Sequence, residues 1–89
     1  MVLSELDDCY AITDLGYELV RITDNEGRIA MCDVISIAEG KSEYKVGDTT
    51  IMDLLNCLIF TADEYEEAYM RFKQVNEERE YKSLKEYYK

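Results

Sequence analysis

The chain of 89 residues carries a formal charge of −10, from 20 acidic and 10 basic side chains, and its apolar residues (47%) are dispersed among the charged ones; this is the pattern of one globular domain with a thin core. A charge of that sign, with no basic stripe to release counterions, excludes ordinary nucleic-acid binding through phosphate contacts. No apolar run approaches the roughly 20 residues a bilayer span requires.

The N-terminus, Met1-Val2-Leu3-Ser4-Glu5-Leu6-Asp7-Asp8, lacks the basic start and apolar stretch of a signal peptide, so the expected location is cytoplasmic. The first half reads as strands. Cys9-Tyr10-Ala11-Ile12-Thr13 precedes the turn residues Asp14-Leu15-Gly16. Tyr17 to Thr23 is rich in β-branched and aromatic residues and leads through Asp24-Asn25-Glu26-Gly27 into Arg28 to Ile37, which predicts a hairpin with Gly27 at positive φ. Glu43-Tyr44-Lys45-Val46, after Gly40, predicts a short further strand. The connections are too short for crossover helices, so the sheet of three to four strands is expected to be antiparallel.

The second half reads as two to three helices packed on that sheet. Thr50 is placed to cap a helix carrying Ile51, Leu54, Leu55, Leu58 and Ile59 at i, i+3, i+4, i+7, i+8, the stripe of a buried helical face. Thr61-Ala62-Asp63-Glu64 has the form of a capping box, with Phe60 and Tyr65 at the staple positions, and it opens a helix with Tyr65, Ala68, Tyr69, Phe72 and Val75 on one face. Glu67 and Arg71 stand at i, i+4 in the favourable order. Beyond Asn76 the apolar phase slips to Tyr81, Leu84 and Tyr88, so residues 77–89 form either a continuation of the helix or a separate short one. The fold class is α+β: one acidic domain over residues 1–76, with Leu54, Leu55, Leu58, Tyr69 and Phe72 expected in the core, followed by a Tyr/Lys-rich tail.

Catalytic motifs are absent. There is no histidine, no serine or cysteine with a sequence-local activating partner, and no Gly-rich phosphate loop among four singly placed glycines; the expectation is a protein that is not an enzyme and takes no cofactor. Cys9, Cys32 and Cys57 are widely separated, form no C-x-x-C pair and have no histidine to complete a zinc set, so they read as small buried hydrophobes rather than disulfide partners or metal ligands. Paired carboxylates such as Asp7 with Asp8 are expected by chance at this acid content. Asp24-Asn25-Glu26-Gly27 does not continue into the ligand spacing of a calcium loop.

The charge is unevenly spread: residues 1–70 hold sixteen acids against four bases, and residues 71–89 hold four acids against six bases. Asp63, Glu64, Glu66 and Glu67 crowd the start of the second helix, where acids suit the helix dipole and also present carboxylates at intervals of about 5 to 6 Å at Cβ, comparable with successive phosphates of a nucleic-acid strand. Of the eight tyrosines, Tyr81, Tyr87 and Tyr88 have no evident core to fill and suit either a docking surface or a tail folded back on the sheet. In size and charge, and in no motif, the chain is similar to the small acidic proteins with which phages and mobile elements inhibit host nucleases, DNA mimics and some anti-CRISPR proteins among them. The leading expectation is therefore an acidic inhibitor or adaptor that occupies a basic protein surface, such as that of a nuclease or another nucleic-acid-binding protein, through Asp63, Glu64, Glu66, Glu67, Tyr81 and Tyr88. The alternative is a small assembly domain that homodimerises, its charge serving solubility.

Overall fold

The computed structural model describes residues 6–87, with side chains described over residues 6–77. Five strands, β1 (Tyr10–Ile12), β2 (Glu18–Glu26), β3 (Ile29–Ile37), β4 (Thr49–Asp53) and β5 (Leu58–Phe60), precede one helix, α1 (Tyr65–Tyr87). The strands make one antiparallel sheet in the order β4-β3-β2-β1-β5.

The predicted hairpin is formed by β2 and β3, and the strand predicted before it is β1. The turn between β2 and β3 is shorter than expected. A register shift between Ile22 and Asp24 lets β2 run on to Glu26, paired with Ile29, which leaves Gly27 (φ 61°) and Arg28 as the connecting residues; such an irregularity in antiparallel pairing adds local twist.

Two expectations are corrected. Among the described residues the sheet has five strands rather than three to four, and there is one helix rather than two to three. The segment read as a helix from Thr50 to Ile59 is instead β4, a turn and β5. Its accessibility alternates with the period of a strand: Ile51 is exposed, Met52 half-buried, Asp53 exposed and Leu54 buried. Asp53 Oδ1 accepts a hydrogen bond from the Leu55 N–H (2.9 Å), Cys57 N–H donates to the Leu54 carbonyl (3.1 Å), and Asn56 lies at φ 62°. An Asx turn followed by an asparagine in the left-handed region ends any helix there. Consequently Leu55 and Leu58, expected in the core, are exposed, as is Tyr69, whereas Leu54 and Phe72 are buried. Nor is Glu43–Val46 a strand: it lies in the β3–β4 loop, where Tyr44 packs on the core and Lys45 N–H donates to Asp48 Oδ2 (2.9 Å).

The short β4–β5 link dictates the shape. A flat five-stranded sheet would separate its edges by about 19 Å, yet the turn at 54–57 lets Asp53 and Leu58 stand no more than about 15 Å apart. The sheet therefore coils on itself. Leu54 N–H donates to the Arg28 carbonyl (2.7 Å), extending the β3–β4 ladder by one residue, and the interior fills with Leu6, Cys9, Ala11, Val20, Ile22, Ala30, Cys32, Val34 and Leu54. A second, smaller core lies on the outside of the coil, where Ala68 and Phe72 of α1 cover Ile12 and Leu19, with Tyr10 and Phe60 alongside. Successive β1 residues thus serve two cores, Ala11 the interior and Ile12 the helix.

Candidate functional site

Asp63 and Glu64 lie in the turn that leads from Thr61 into α1, where Glu64 N–H donates to the Thr61 carbonyl (3.0 Å), and Glu66 and Glu67 lie in the first turn of the helix. Glu64 Oε1 accepts from the Thr61 backbone N–H (2.7 Å) and lies 2.8 Å from Thr61 Oγ1, the same hydroxyl that lies 2.5 Å from Asp63 Oδ1. The Thr61 backbone and side chain hold the Glu64 carboxyl below the usual carboxylate range, and the Thr61 hydroxyl, followed by Asp63's own N–H, does the same for Asp63. Two of the four acids are therefore held in a local scaffold. Glu66 and Glu67 project from the first turn and are exposed. The expected Glu67–Arg71 ion pair is not closed; the ion pairs among the described residues are Arg21–Asp8 (2.9 Å) and Arg28–Asp53 (3.2 Å).

The fold brings further acids to this end of the molecule. Asp8 N–H donates to the Ile22 carbonyl (2.7 Å) and Ile22 N–H to the Cys9 carbonyl (2.8 Å), so the segment before β1 continues the sheet beside β2. Burial first, and then the charges of Asp8, Asp7 and Glu64, push the Cys9 thiol up, against the lowering effect of the Ala62 backbone. The N-terminal turn and the helix cap thus face each other across Cys9. Beside them runs an aromatic ladder. Tyr65 meets Tyr10 edge-on (5.2 Å between centroids, 65°) and stacks on Tyr69 (6.1 Å, 17°), and Lys73 Nζ sits 5.8 Å from the Tyr69 ring. Tyr65 and Tyr69 remain more than a third exposed, so they form an amphipathic stripe flanked by carboxylates. The sequence marks them for the core because both share a helical face with Phe72; only Ala68 and Phe72 go deep. Of the other two residues expected to meet a partner, Tyr81 lies on α1 with its side chain outside those described, and Tyr88 lies outside the described residues.

A second site was not legible in the sequence. Glu18, the first residue of β2, is 8% exposed and so the one charged side chain among the buried described residues. Its backbone and that of Thr13 close the β1–β2 loop: Thr13 N–H donates to the Glu18 carbonyl (3.1 Å), Glu18 N–H to Thr13 Oγ1 (3.2 Å), and Thr13 Oγ1 to Glu18 Oε1 (3.0 Å). Glu18 borders an open depression of about 380 Å³ with Asp14, Asp53, Leu15, Tyr44 and Ile51. Cys57, on the same wall, has its thiol pushed up, first by burial and then by the charges of Asp14, Asp53 and Glu18, against the lowering effect of the Asp14 backbone. An acid followed by Leu19-Val20 gives no periodic cue that it turns inward, because the register shift between Leu19 and Val20 breaks the alternation there.

Among the described residues no three His, Cys, Asp or Glu side chains are placed to hold a metal ion, and no helix is long and apolar enough to cross a membrane. The outer face of β3 and β4 carries one more exposed group, Ile29, Met31 and Ile51, with Met31 directly opposite Ile51. The chain matches no protein-family model, no curated protein and no solved structure.

Proposed function

We propose that this chain is a non-enzymatic binding protein that uses the acidic start of α1, with Asp7 and Asp8 beside it, to occupy a basic protein surface, one that otherwise holds nucleic acid. The observation that carries the reading is the pairing of exposed, unneutralised carboxylates, Glu66 and Glu67, with the half-exposed Tyr65–Tyr69 stack on one helix. Carboxylates alone steer a basic partner and bind it weakly; tyrosines beside them supply the apolar contact area on which interface affinity usually rests. A partner of this kind is a nuclease or another nucleic-acid-binding protein, and inhibition follows from occupancy. The same proposal places the protein in the cytoplasm, where three free thiols stay reduced. The test is competition: duplex DNA and this chain should exclude each other from the partner, with affinity falling as salt rises. A partner that binds both together would refute it.

The alternative, homodimerisation, draws on the exposed Met31–Ile51 pair at the β4 edge, which lies on strands away from the acidic helix start. Ile51→Lys should then lower the mass measured in solution; an unchanged, monomeric mass in both forms removes this reading.

A further inference from the structure

We propose that the depression beside Glu18 receives an arginine side chain of the partner protein. The inference rests on the reading above only in taking the partner to be basic.

A carboxylate removed from water is tolerated when its oxygens are hydrogen-bonded and its charge is paired. Glu18 meets half of that requirement. Oε1 accepts from Thr13 Oγ1, whereas among the described residues Oε2 receives no donor and neither oxygen meets a cation. The neighbouring acids differ in the same respect. Asp53 is already neutralised by Arg28 Nε (3.2 Å) and accepts from the Leu55 N–H (2.9 Å), but Asp14, at the rim, meets no cation among the described residues. Two uncompensated carboxylates therefore border one depression, one at its buried wall and one at its mouth.

Among the described residues no set of three ligands converges there to hold a metal ion. A guanidinium suits the pair. Its planar fork carries several donors, so it can reach Glu18 and Asp14 together, while its weak hydration lowers the cost of entry. Leu15 and Ile51, both largely exposed, offer apolar surface for the three-carbon stem, and Tyr44 lines the same depression. A lysine ammonium, compact and strongly hydrated, gains less from such walls.

The test uses the full chain and N-acetyl-arginine methylamide as the probe, followed by amide chemical shifts. The expected result is a saturable perturbation confined to residues 13–18, 44 and 51–57, with the capped lysine analogue binding more weakly. Glu18→Gln keeps an oxygen for Thr13 and removes the charge, and it should weaken binding by about tenfold or more; Asp14→Asn, at an exposed position, should weaken it by a smaller factor. Equal affinity in Glu18→Gln, equal affinity for capped lysine, or shifts centred on residues 63–67 would overturn the proposal. Should Glu18→Gln fail to fold, Asp14→Asn decides, and unchanged affinity there overturns it. Arginine binding at this depression without any competition between DNA and the chain for a partner would leave the site standing and remove the nucleic-acid-surface reading alone.

Discussion

The side-chain amide of Asn76 donates to the carbonyl of Gly16 at 3.0 Å, joining the fourth turn of α1 to the loop between β1 and β2 across 60 positions of sequence. The same amide also donates to the Phe72 carbonyl (2.9 Å), one turn back. Gly16 is buried and adopts φ 75°, so its carbonyl is aimed by backbone geometry and has little water to fall back on. Asn76→Ala removes the donor and leaves that carbonyl underserved. The expected cost is about 1 to 2 kcal/mol in urea denaturation, with faster amide exchange along the second half of α1 than along β2 and β3. Uniform exchange across the whole chain would show that helix and sheet do not separate at this point.

Leu54 and Leu58 test the correction to the fold. Leu54 is 6% exposed and belongs to the interior core, whereas Leu58 is 46% exposed at the edge strand β5. Leu54→Ala should cost about 2 to 5 kcal/mol. Leu58→Ala should cost about 1 kcal/mol or less, since much of its surface stays in water in both states. The reverse order in denaturation midpoints would restore the helix that the i, i+3, i+4 spacing suggests.

That spacing explains why one half of the fold was legible in the sequence and the other was not. In β2 and β3 the β-branched runs, the turn residues and Gly27 all argue for the same element, and the capping box at Thr61 to Glu64 is a local chemical motif that needs no tertiary context. Between Thr50 and Ile59 two periodicities compete, and the apolar residues satisfy a helical stripe while Asp53 and Asn56 carry the turn. The turn chemistry wins because the coil can close only through a short link there. The candidate site divides in the same way. Asp63 to Glu67 could be placed from the cap alone, but the inward turn of Glu18 depends on a register shift and on a loop held by Thr13, neither of which leaves a periodic mark.

Cys32 gives the fold an alkaline limit. It is fully buried in the interior core, and burial, followed by the neighbouring Cys57 and Asp33, pushes its thiol from an ordinary value of 9.0 to about 11. The native state thus favours the protonated thiol. Its contribution to stability is fully present below about pH 9 and is lost as the pH rises through 11, by an amount on the order of 2 to 3 kcal/mol for a shift of that size. Cys57 is pushed in the same direction and adds to the effect. Stability measured from pH 7 to 11 should fall less steeply in Cys32→Ala than in the native chain, whatever the variant loses in packing at pH 7. Parallel curves would place the alkaline limit on other groups.

Reversal of Glu66 and Glu67 to lysine decides whether the acidic helix start is a binding surface or a solubility device. Both residues lie in the first turn of α1 and are exposed, so the double change moves the local charge by four units while the Thr61–Glu64 cap stays in place. Lysines there oppose the helix dipole, with an expected cost of about 0.3 to 1 kcal/mol each, which leaves the domain folded. Binding to a basic partner should weaken, and the loss should fall on the association rate, most strongly at low salt, because charges at an interface rim act chiefly by steering. The neutral pair Glu66→Gln and Glu67→Gln separates charge from stability: it should show an intermediate association rate with a smaller stability change. If the acids serve the aromatic stripe instead, truncating Tyr65 and Tyr69 would raise the dissociation rate while the lysine pair left both rates unchanged. Equal affinity of the native, glutamine and lysine forms across a salt titration, with no competition from DNA, would leave the charge of this helix start with no part in binding.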